Sequence, residues 1–514
     1  MIPSLADYEI RNLLPFVRVC TPAQNNKIYA REVFEYAKHE LIARVDARDI
    51  EGFAGSDPMF VQTRYRFDYQ RKVVFGAQLR RPAGGLAQHL QYGAYMQLRD
   101  IAPHVHTVVG GNYQAAFGQG LVMAPVFHSG KSAYVSTVGQ QVNGLRYYSS
   151  ADGEGLHGAG GTVRWEWNKQ TRLDVSAFYS MRKANDSTWH HLVGANLTIR
   201  HKRLEVQLTA IENIWSDSIR PYHNAAYNQH YFRGRSQAVA GASVRYNHGW
   251  FDLFGEVAAS ENRSWGVGTI VGSRFYPTSG VSLIALYRYY SPWFDNALGY
   301  AFSESSRIGD ENGGYVGIDI TRFHHWRLSG YGDVFYFTGP KYGLPSAPSL
   351  GYDAMLEAQY HGREWWTSLR VRAKQKGSSM YSARAQFDWT NGGWNLRTTA
   401  DANYATGYGV SLAQDIAYSF ASVPLSMRFR LQGFDARNWV NRIYLYEHDV
   451  LYSFSIPATY GLGGRVYACL RWQIIPQLGL YMRVSETVYA KSWAREHNRS
   501  RTRTDVHLLL RASF

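Results

Sequence analysis

The sequence predicts an all-β membrane protein, a large antiparallel transmembrane β-barrel of about 22 to 26 strands with a short helical segment at its start. Three observations predict this fold. The chain ends in a stretch whose apolar side chains recur at every second position. Similar period-two stretches follow one another along most of the sequence. Finally, no run of ~18 apolar residues occurs that would form a transmembrane helix.

The composition agrees with this fold class. Of 514 residues, 15% are aromatic and 18% are charged, with 38 Tyr and 48 Gly, and the mean hydropathy is −0.35. A negative value fits a barrel, because only alternate residues face lipid. Lys and Arg number 55 against 40 Asp and Glu, a net charge of +15. These basic residues are spread along the predicted strands and form no block of the kind that binds nucleic acid.

The last stretch, residues 503–514, is predicted to close the barrel. His507, Arg511 and Ser513 lie on the polar side of this strand. The chain ends on Phe, as closing strands of bacterial outer-membrane barrels do. Each open backbone group in lipid costs several kcal/mol, so the strand must pair with the first one. The residues expected at this closure are Val506, Leu508, Leu510 and Phe514, with Ala512 in the same apolar file.

The first residues of the chain lack the period-two pattern and predict a helix and a linker. Ser4 caps a predicted helix over residues 5–14, and Pro15 ends it. We expect a helical remnant at 1–20, a linker at 21–33 and the barrel at 34–514. The first residues lack the basic start and apolar run of a secretory signal peptide. Either the sequence is that of the mature protein or its start is incomplete, and we expect the second.

From about Phe34 the period is two. The clearest region, residues 362–404, holds three predicted strands joined by hairpin turns, one of them at Asn391-Gly392-Gly393. Longer insertions at 123–136, 217–234, 291–314 and 338–351 are predicted to be external loops or an inward-folded plug. A soluble β-sandwich is the alternative fold, but two packed sheets would not supply so many successive strands with an aromatic outer face.

Three segments carry a resemblance to a known family: KHELIARVDAR at 38–48, GGNYQAAFGQGLVM at 110–123 with GKSA at 130–133, and VNGLRYYSS at 142–150. With the initial helix, they resemble the Bacteroidota outer-membrane barrel proteins classed by an N-terminal helix-hairpin-helix domain. The resemblance implies a porin-like protein in the outer membrane of a Gram-negative cell, inserted by the barrel assembly machinery. Only the last helix of the helix-hairpin-helix region is expected here, which leaves DNA binding open.

Basic side chains at polar-face positions form the main candidate site. Inside a barrel they hold the wall by cross-strand pairing, and their excess predicts a lumen that attracts anions. We hypothesise a pore, conduit or binding barrel for an anionic solute or polymer. The alternatives are an anchoring component whose helical region binds DNA or a protein partner, and an outer-membrane hydrolase. The residues are Arg64, Arg66, Arg370, Arg372, Lys374, Arg384, Arg397, Arg428 and Arg430, followed by Arg471, Arg483 and Arg511.

Other motifs are less specific. Gly118, Gln119 and Gly120 are predicted to mark a bend, or a constriction if the segment folds inward. Gly130-Lys131-Ser132 lacks the preceding glycine of a phosphate-binding loop. His104 and His106 share a strand face, but no third metal ligand is identifiable. The sequence therefore predicts no metal, no cofactor and no catalytic residue.

Overall fold

The chain forms a closed antiparallel barrel of 24 strands. This computed structural model describes residues 30–48, 58–84, 90–124, 131, 137–139, 143–150, 154–184, 187–221, 225–344 and 346–514. Each barrel strand pairs with its neighbours in sequence, except where short extra strands intervene. The predicted fold class and strand number are confirmed.

The barrel strands are β1 (Lys38–Arg48), β2 (Met59–Tyr69), β3 (Val73–Arg81), β4 (Gln91–Ala102), β5 (Val105–Ala116), β7 (Leu156–Asn168), β8 (Thr171–Lys183), β9 (Trp189–His201), β10 (Leu204–Ile219), β11 (Gly234–His248), β12 (Phe251–Ser260), β13 (Gly266–Thr278), β14 (Val281–Tyr290), β15 (Glu311–Ile320), β16 (Trp326–Phe337), β17 (Ser349–His361), β18 (Trp365–Lys376), β19 (Ser378–Asn391), β20 (Trp394–Tyr404), β21 (Tyr408–Ser419), β22 (Leu425–Ala436), β25 (Gly461–Ile475), β26 (Leu478–Tyr489) and β27 (Thr502–Ser513). The short strands are β6 (Gly144–Tyr147), β23 (Ile443–Tyr444) and β24 (Ala458–Thr459), and the helices are α1 (Ala30–Glu35) and α2 (Lys491–Glu496). Two 3-10 turns cover Ala226–Asn228 and Trp439–Asn441.

The barrel closes between β27 and β1. Val506, Leu508 and Leu510 pair with Ala47, Val45 and Ala43 in the antiparallel register. Phe514 continues this pairing beyond the last strand residue: its backbone N–H donates to the carbonyl of His39 at 3.1 Å, and that of His39 donates to Phe514 at 2.8 Å. The two rings stack with centroids 5.2 Å apart. Closure leaves no open strand edge at the seam.

Alternation along many strands runs opposite to that of a soluble protein, with apolar side chains outside and polar side chains inside. On β10, Leu204, Val206 and Leu208 are exposed, whereas Glu205 and Gln207 are buried on the inner face. An apolar exterior and a polar interior suit a barrel surrounded by hydrocarbon and filled by its own polar groups. The chain is thus a transmembrane barrel of the cell outer membrane. None of the described helices is long and apolar enough to cross a membrane.

The two ends of the barrel differ in their connections. At the end where β1 begins and β27 ends, turns are short, such as Gly392-Gly393 with φ of +54° and +89°. The long connections, among them residues 490–501, 117–155, 220–233, 291–310, 338–348 and 437–460, all start from strand ends at the other end. Short turns are typical of the periplasmic end and long loops of the extracellular end. The last of these connections was not among the predicted insertions.

The first described residues correct the predicted boundary between linker and barrel. Ala30–Glu35 is helical, and strand structure begins at Lys38, not near Phe34. The helix packs its Val33 and Phe34 against Phe67 of β2, with the two phenyl centroids 6.0 Å apart. Tertiary packing on the barrel rim therefore favours one more helical turn where the sequence pattern predicted linker and strand. The helix predicted for 5–14 lies outside the described residues.

Candidate functional site

The lumen is the candidate site, and one side of it is filled by apolar packing. We call residues 117–124, 137–139 and 291–310 the inner plug. Its Phe117 stacks against Phe178 of β8 at 6.0 Å, and Phe294 stacks against Tyr290 of β14 at 6.3 Å. The Tyr290 hydroxyl donates to the carbonyl of Phe302 at 2.7 Å. These side chains belong to one buried apolar cluster that reaches from β5 to β17.

A buried carboxylate fixes the turn at which the plug enters the lumen. Glu256 of β12 accepts hydrogen bonds from the backbone N–H groups of Gln119 at 2.5 Å, Leu121 at 3.1 Å and Val122 at 3.3 Å. Gly118 and Gly120 have φ of +62° and +88°. A Cβ on Gly118 would lie 2.7 Å from a carboxylate oxygen of Glu256. The predicted bend at Gly118-Gln119-Gly120 therefore sits inside the barrel and wraps around one wall residue.

The opposite side of the lumen holds a second inward segment. We call residues 443–459 the inner hairpin, because β23 pairs with β24 and Glu447 bridges to Ser455. One face of it lies on the barrel wall: Ile443, Leu445 and Val450 are buried there. Asn441, just before the hairpin, donates to the Asn403 side chain and the Gly407 carbonyl, both at 2.9 Å, at the extracellular end.

The tip of the hairpin reaches the terminal strands near the periplasmic end. Tyr452 donates its hydroxyl to Glu40 of β1 at 2.9 Å, and the Arg64 guanidinium lies 4.0 Å from the centre of its ring. Glu40 pairs with Ser513, close to the end of the chain. The hairpin therefore runs along most of the height of the lumen and crosses the seam of the barrel.

Ion pairs attach the hairpin to the wall. Glu447 is buried and accepts from Arg465 of β25 at 2.7 Å and from Arg483 of β26. Asp449 accepts from His507 of β27 at 2.7 Å. Although burial raises the pKa of Asp449, the hydrogen bond from His507 and nearby positive charge lower it to about 2 overall. Ion pairs thus supplement the apolar contacts of the hairpin, whereas apolar packing dominates in the plug.

Between these two fillings, β18 to β22 present more basic than acidic side chains to the lumen. Their inward positions carry eight basic residues and three carboxylates. We call the basic set the basic wall: Arg370, Arg372, Lys374, Lys376, Arg384, Arg397, Arg428 and Arg430. The three carboxylates are Asp388, Asp401 and Asp415. Arg370 and Arg384 face each other directly in the β18–β19 register, an arrangement of like charges that is unfavourable without compensation.

Compensation comes from neighbouring strands and from the plug. Six pairs at 2.6 to 2.9 Å provide it: Arg370–Glu357, Arg372–Asp353, Lys374–Glu304, Arg384–Asp401, Arg397–Asp388 and Arg430–Asp415. In four of them the arginine side chain stays about one third exposed: Arg370, Arg372, Arg384 and Arg397. Much of the basic wall is therefore both paired and in contact with the lumen.

Two places in the basic wall carry positive charge that carboxylates compensate only in part. Glu304 of the plug is shared by Lys131, Lys374 and Lys376, although Lys131 also binds Asp333 and Lys374 lies 3.8 Å from Asp353. Burial raises the pKa of this carboxyl group, but the lysines, first Lys131, lower it to about 2. The second place is Arg428: its Nη1 is buried without a hydrogen-bond partner, and no described carboxylate lies within ion-pair distance of it.

The other predicted basic residues line the lumen elsewhere. On β2, Arg64 pairs with Glu40 at 3.0 Å and Arg66 with Asp68 at 2.5 Å. Arg511 also binds Glu40, at 2.7 Å, while Arg471 lies over the ring of Tyr481. Arg64, Arg66 and Arg511 are separated from the basic wall by the hairpin and the seam strands, whereas Arg471 lies on β25 next to β22, in register with Ser426. The structure therefore brings together the set on β18 to β22, with Arg471 beside it on the next strand.

The predicted lack of a metal site stays a prediction for the chain as a whole. In the described residues no group of three or more His, Cys, Asp or Glu is arranged to hold a metal ion. His106 binds Asp100 at 3.0 Å, whereas His104 binds the carbonyl of Arg164 at 3.0 Å. His104 and His106, which the sequence places on one strand face, thus have separate hydrogen-bond partners.

Comparisons with known proteins concern the fold. No protein-family model and no curated protein sequence matches the chain. Similar solved structures include the siderophore receptor PirA from Pseudomonas aeruginosa (TM-score 0.45, 6% identity, 93% of this chain and 80% of that chain). The FrpB iron transporter from Neisseria meningitidis is another (0.41, 9%, 95% and 83%). OccK11 (OpdR) from Pseudomonas aeruginosa is a third (0.33, 11%, 93% and 95%).

Proposed function

We propose that the barrel is a conduit or binding barrel for anionic solutes, which pass or bind along the basic wall. The observation that carries the proposal is the sequence of inward residues on β18, where Arg370, Arg372, Lys374 and Lys376 follow one another at every second position. Their backbone spacing is about 7 Å. Fixed positive charge in a confined, water-filled space concentrates anions.

Pairing with carboxylates reduces this effect but does not cancel it. Carboxylates fix the orientation of the guanidinium groups and leave part of each exposed to the lumen. The excess of basic over acidic positions then favours an anion over a cation. The proposal assigns no catalytic chemistry to the chain.

The experiment is a reversal-potential measurement on the purified protein in a planar bilayer with a KCl gradient. We expect a reversal potential on the chloride side, and a lower chloride-over-potassium permeability ratio for Arg370→Gln, which leaves Glu357 without its partner. The matched control is Arg437→Gln, which removes an exposed ion pair with Asp435 in an outer loop. Cation preference, or a barrel that neither conducts nor binds anions, would contradict the proposal.

The family resemblance supports a second proposal about the protein as a whole. Segments 38–48, 110–123 and 142–150 suggest membership of the Bacteroidota barrel proteins that carry a helix-hairpin-helix domain. A helical region upstream would then recruit DNA or a protein partner, with the barrel as its membrane mount. Sequencing upstream of Met1 tests this: a signal peptide and a complete helix-hairpin-helix are expected, and an unrelated upstream region would contradict it.

A further inference from the structure

The lumen-facing side of the inner hairpin is apolar, although it faces a polar space. Tyr444, Tyr446, Phe454 and Ile456 form this side, which we call the aromatic face, and their exposed fractions are 46%, 44%, 72% and 41%. The pairing of Tyr444 with Ala458 and of Glu447 with Ser455 places Tyr446 opposite Ile456. The rings of Tyr446 and Phe454 lie 5.9 Å apart.

This exposure is not explained by a loosely placed loop. The residues that alternate with the aromatic face, Ile443, Leu445 and Glu447, are 0 to 4% exposed against the barrel wall. The buried ion pairs of Glu447 fix the hairpin in that orientation. The aromatic face is therefore held toward the lumen, and a contiguous exposed apolar patch is a common sign of a binding surface.

The basic wall approaches the aromatic face at several points. Arg384 donates to the carbonyl of Tyr444 at 2.7 Å, and Arg430 donates to the carbonyl of Tyr446 at 2.9 Å. His448 links the face to Arg428: its ring lies 5.2 Å from that of Tyr446. Burial, followed by the positive charge of Arg428, lowers the pKa of His448 to about 4, so the imidazole is neutral near pH 7 and does not compete for an anion.

Positive charge without a carboxylate partner thus lies beside aromatic rings that remain about half or more exposed to the lumen. An inorganic anion would use only the first of these features. We infer that the site takes an organic anion that carries a planar or apolar group: its negative group pairs with Arg428, and its apolar part lies on Tyr446 and Phe454. This inference rests on the proposed function and names the class of solute.

The test measures binding of two sulfonates to the full chain in lipid nanodiscs. Naphthalene-2-sulfonate carries a planar apolar group, and methanesulfonate carries the same charge without one. Empty nanodiscs correct for partitioning into lipid. We expect naphthalene-2-sulfonate to bind at least about ten-fold more tightly, since stacking and burial of an aromatic ring contribute that much or more.

Two variants separate the two features. Phe454→Ser with Ile456→Ser should remove the preference for naphthalene-2-sulfonate and leave methanesulfonate binding unchanged. Arg428→Gln should weaken both sulfonates. Tyr342→Ser removes an aromatic ring that is 81% exposed on an outer loop and serves as the matched control without effect. The chloride-over-potassium ratio of the double variant, expected to equal that of the parent, checks that the barrel is intact.

The results that overturn this inference differ from those that overturn the proposed function. Equal affinities for the two sulfonates in the parent protein, or an equal loss of preference in Tyr342→Ser, would contradict the organic anion while chloride preference persists. Cation preference in the bilayer would instead remove the anion proposal on which this inference depends.

Discussion

The two fillings of the lumen are built by opposite means. The inner plug packs aromatic and aliphatic side chains against the wall from β5 to β17, and two buried wall carboxylates, Glu256 and Glu311, accept hydrogen bonds from its backbone amides. The inner hairpin lies on the wall through ion pairs of Glu447 and Asp449. Apolar packing fills its half of the lumen with buried side chains. Because the ion pairs hold only one face of the hairpin on the wall, polar and aromatic side chains of its other face remain in contact with the rest of the lumen.

The largest effect on conductance and thermal stability is expected for Glu256, the polar wall residue that holds the turn of the inner plug. Glu256→Ala removes the acceptor of three backbone N–H groups, and each buried donor left without a partner costs about 1 to 3 kcal/mol. Residues 117–124 should leave the wall, with increased conductance and a lower thermal unfolding temperature.

The control for this change is Glu261→Ala, an exposed carboxylate one residue beyond β12. If both variants have the conductance and unfolding temperature of the parent, Glu256 does not hold the plug, and the contrast between the two halves loses its basis.

A somewhat smaller loss of stability is expected when the ion pairs of the inner hairpin are broken. Glu447→Gln removes the nearest carboxylate from the buried Arg465 and Arg483, which keep only longer contacts with Asp505 and Asp449, and breaking a buried pair costs about 3 to 5 kcal/mol. The hairpin should become sensitive to protease added from outside, while the plug keeps its protection. Equal protease sensitivity of both segments would contradict their separate attachment.

Acidification should weaken the docking of the inner hairpin before it affects the inner plug, because their titrating groups have different pKa values. The pKa of His448 is lowered from 6.5 to about 4 by burial and by Arg428, Arg397 and Arg430, against the opposing charge of Asp415. A detached hairpin takes up this proton below pH 6.5, whereas the docked one does so only near pH 4, so docking weakens as pH falls through this window. Glu304 of the plug, with its pKa lowered from 4.5 to about 2, responds only at lower pH.

Hydrogen–deuterium exchange of residues 443–459 and 291–310 at pH 7 and pH 5, corrected for intrinsic rates, measures this difference. The hairpin should lose protection at pH 5 and the plug should keep it. His448→Gln, which cannot take up the proton, should abolish the change. Unchanged hairpin protection in the parent would show that His448 does not couple docking to pH.

The smallest effect is expected at the hairpin tip. Tyr452→Phe removes the hydrogen bond to Glu40 but keeps the ring beneath Arg64, so the cost should be about 1 kcal/mol. Tyr452→Ala also removes the ring and should cost more. Thermal unfolding of the two variants measures their losses of stability. A larger loss for Tyr452→Phe than for Tyr452→Ala would contradict the prediction.

The wall of the barrel could be predicted from the sequence because period-two alternation with an apolar outer face recurs in every strand. The same parity located the basic wall: once Leu369 and Val371 face lipid, Arg370 and Arg372 must face inward. The family resemblance and the upstream helical domain stay predictions. The start of β1 was placed four residues early, because helix α1 depends on packing against Phe67.

Other parts of the site could not be predicted. Ile443 and Leu445 alternate as a wall strand would, so the inner hairpin has no separate signal in the sequence. Glu256 looks like any polar-face residue of its strand, and its bonded amides come from a distant segment. The partners of the arginines depend on strand register, which the sequence pattern does not determine across neighbouring strands.

The central claim is that one half of the lumen is sealed and the other is a water-accessible, positively charged surface. It is tested most directly by thiol labelling in a background of Cys20→Ser and Cys469→Ser. Ser382→Cys places a thiol in register with Arg372 on the basic wall, and Ser176→Cys places one on the buried inner face beside the plug. The account predicts that Ser382→Cys reacts, and faster with an anionic methanethiosulfonate than with a cationic one, while Ser176→Cys does not react. Equal labelling of both thiols, or faster labelling of Ser382→Cys by the cationic reagent, would contradict it.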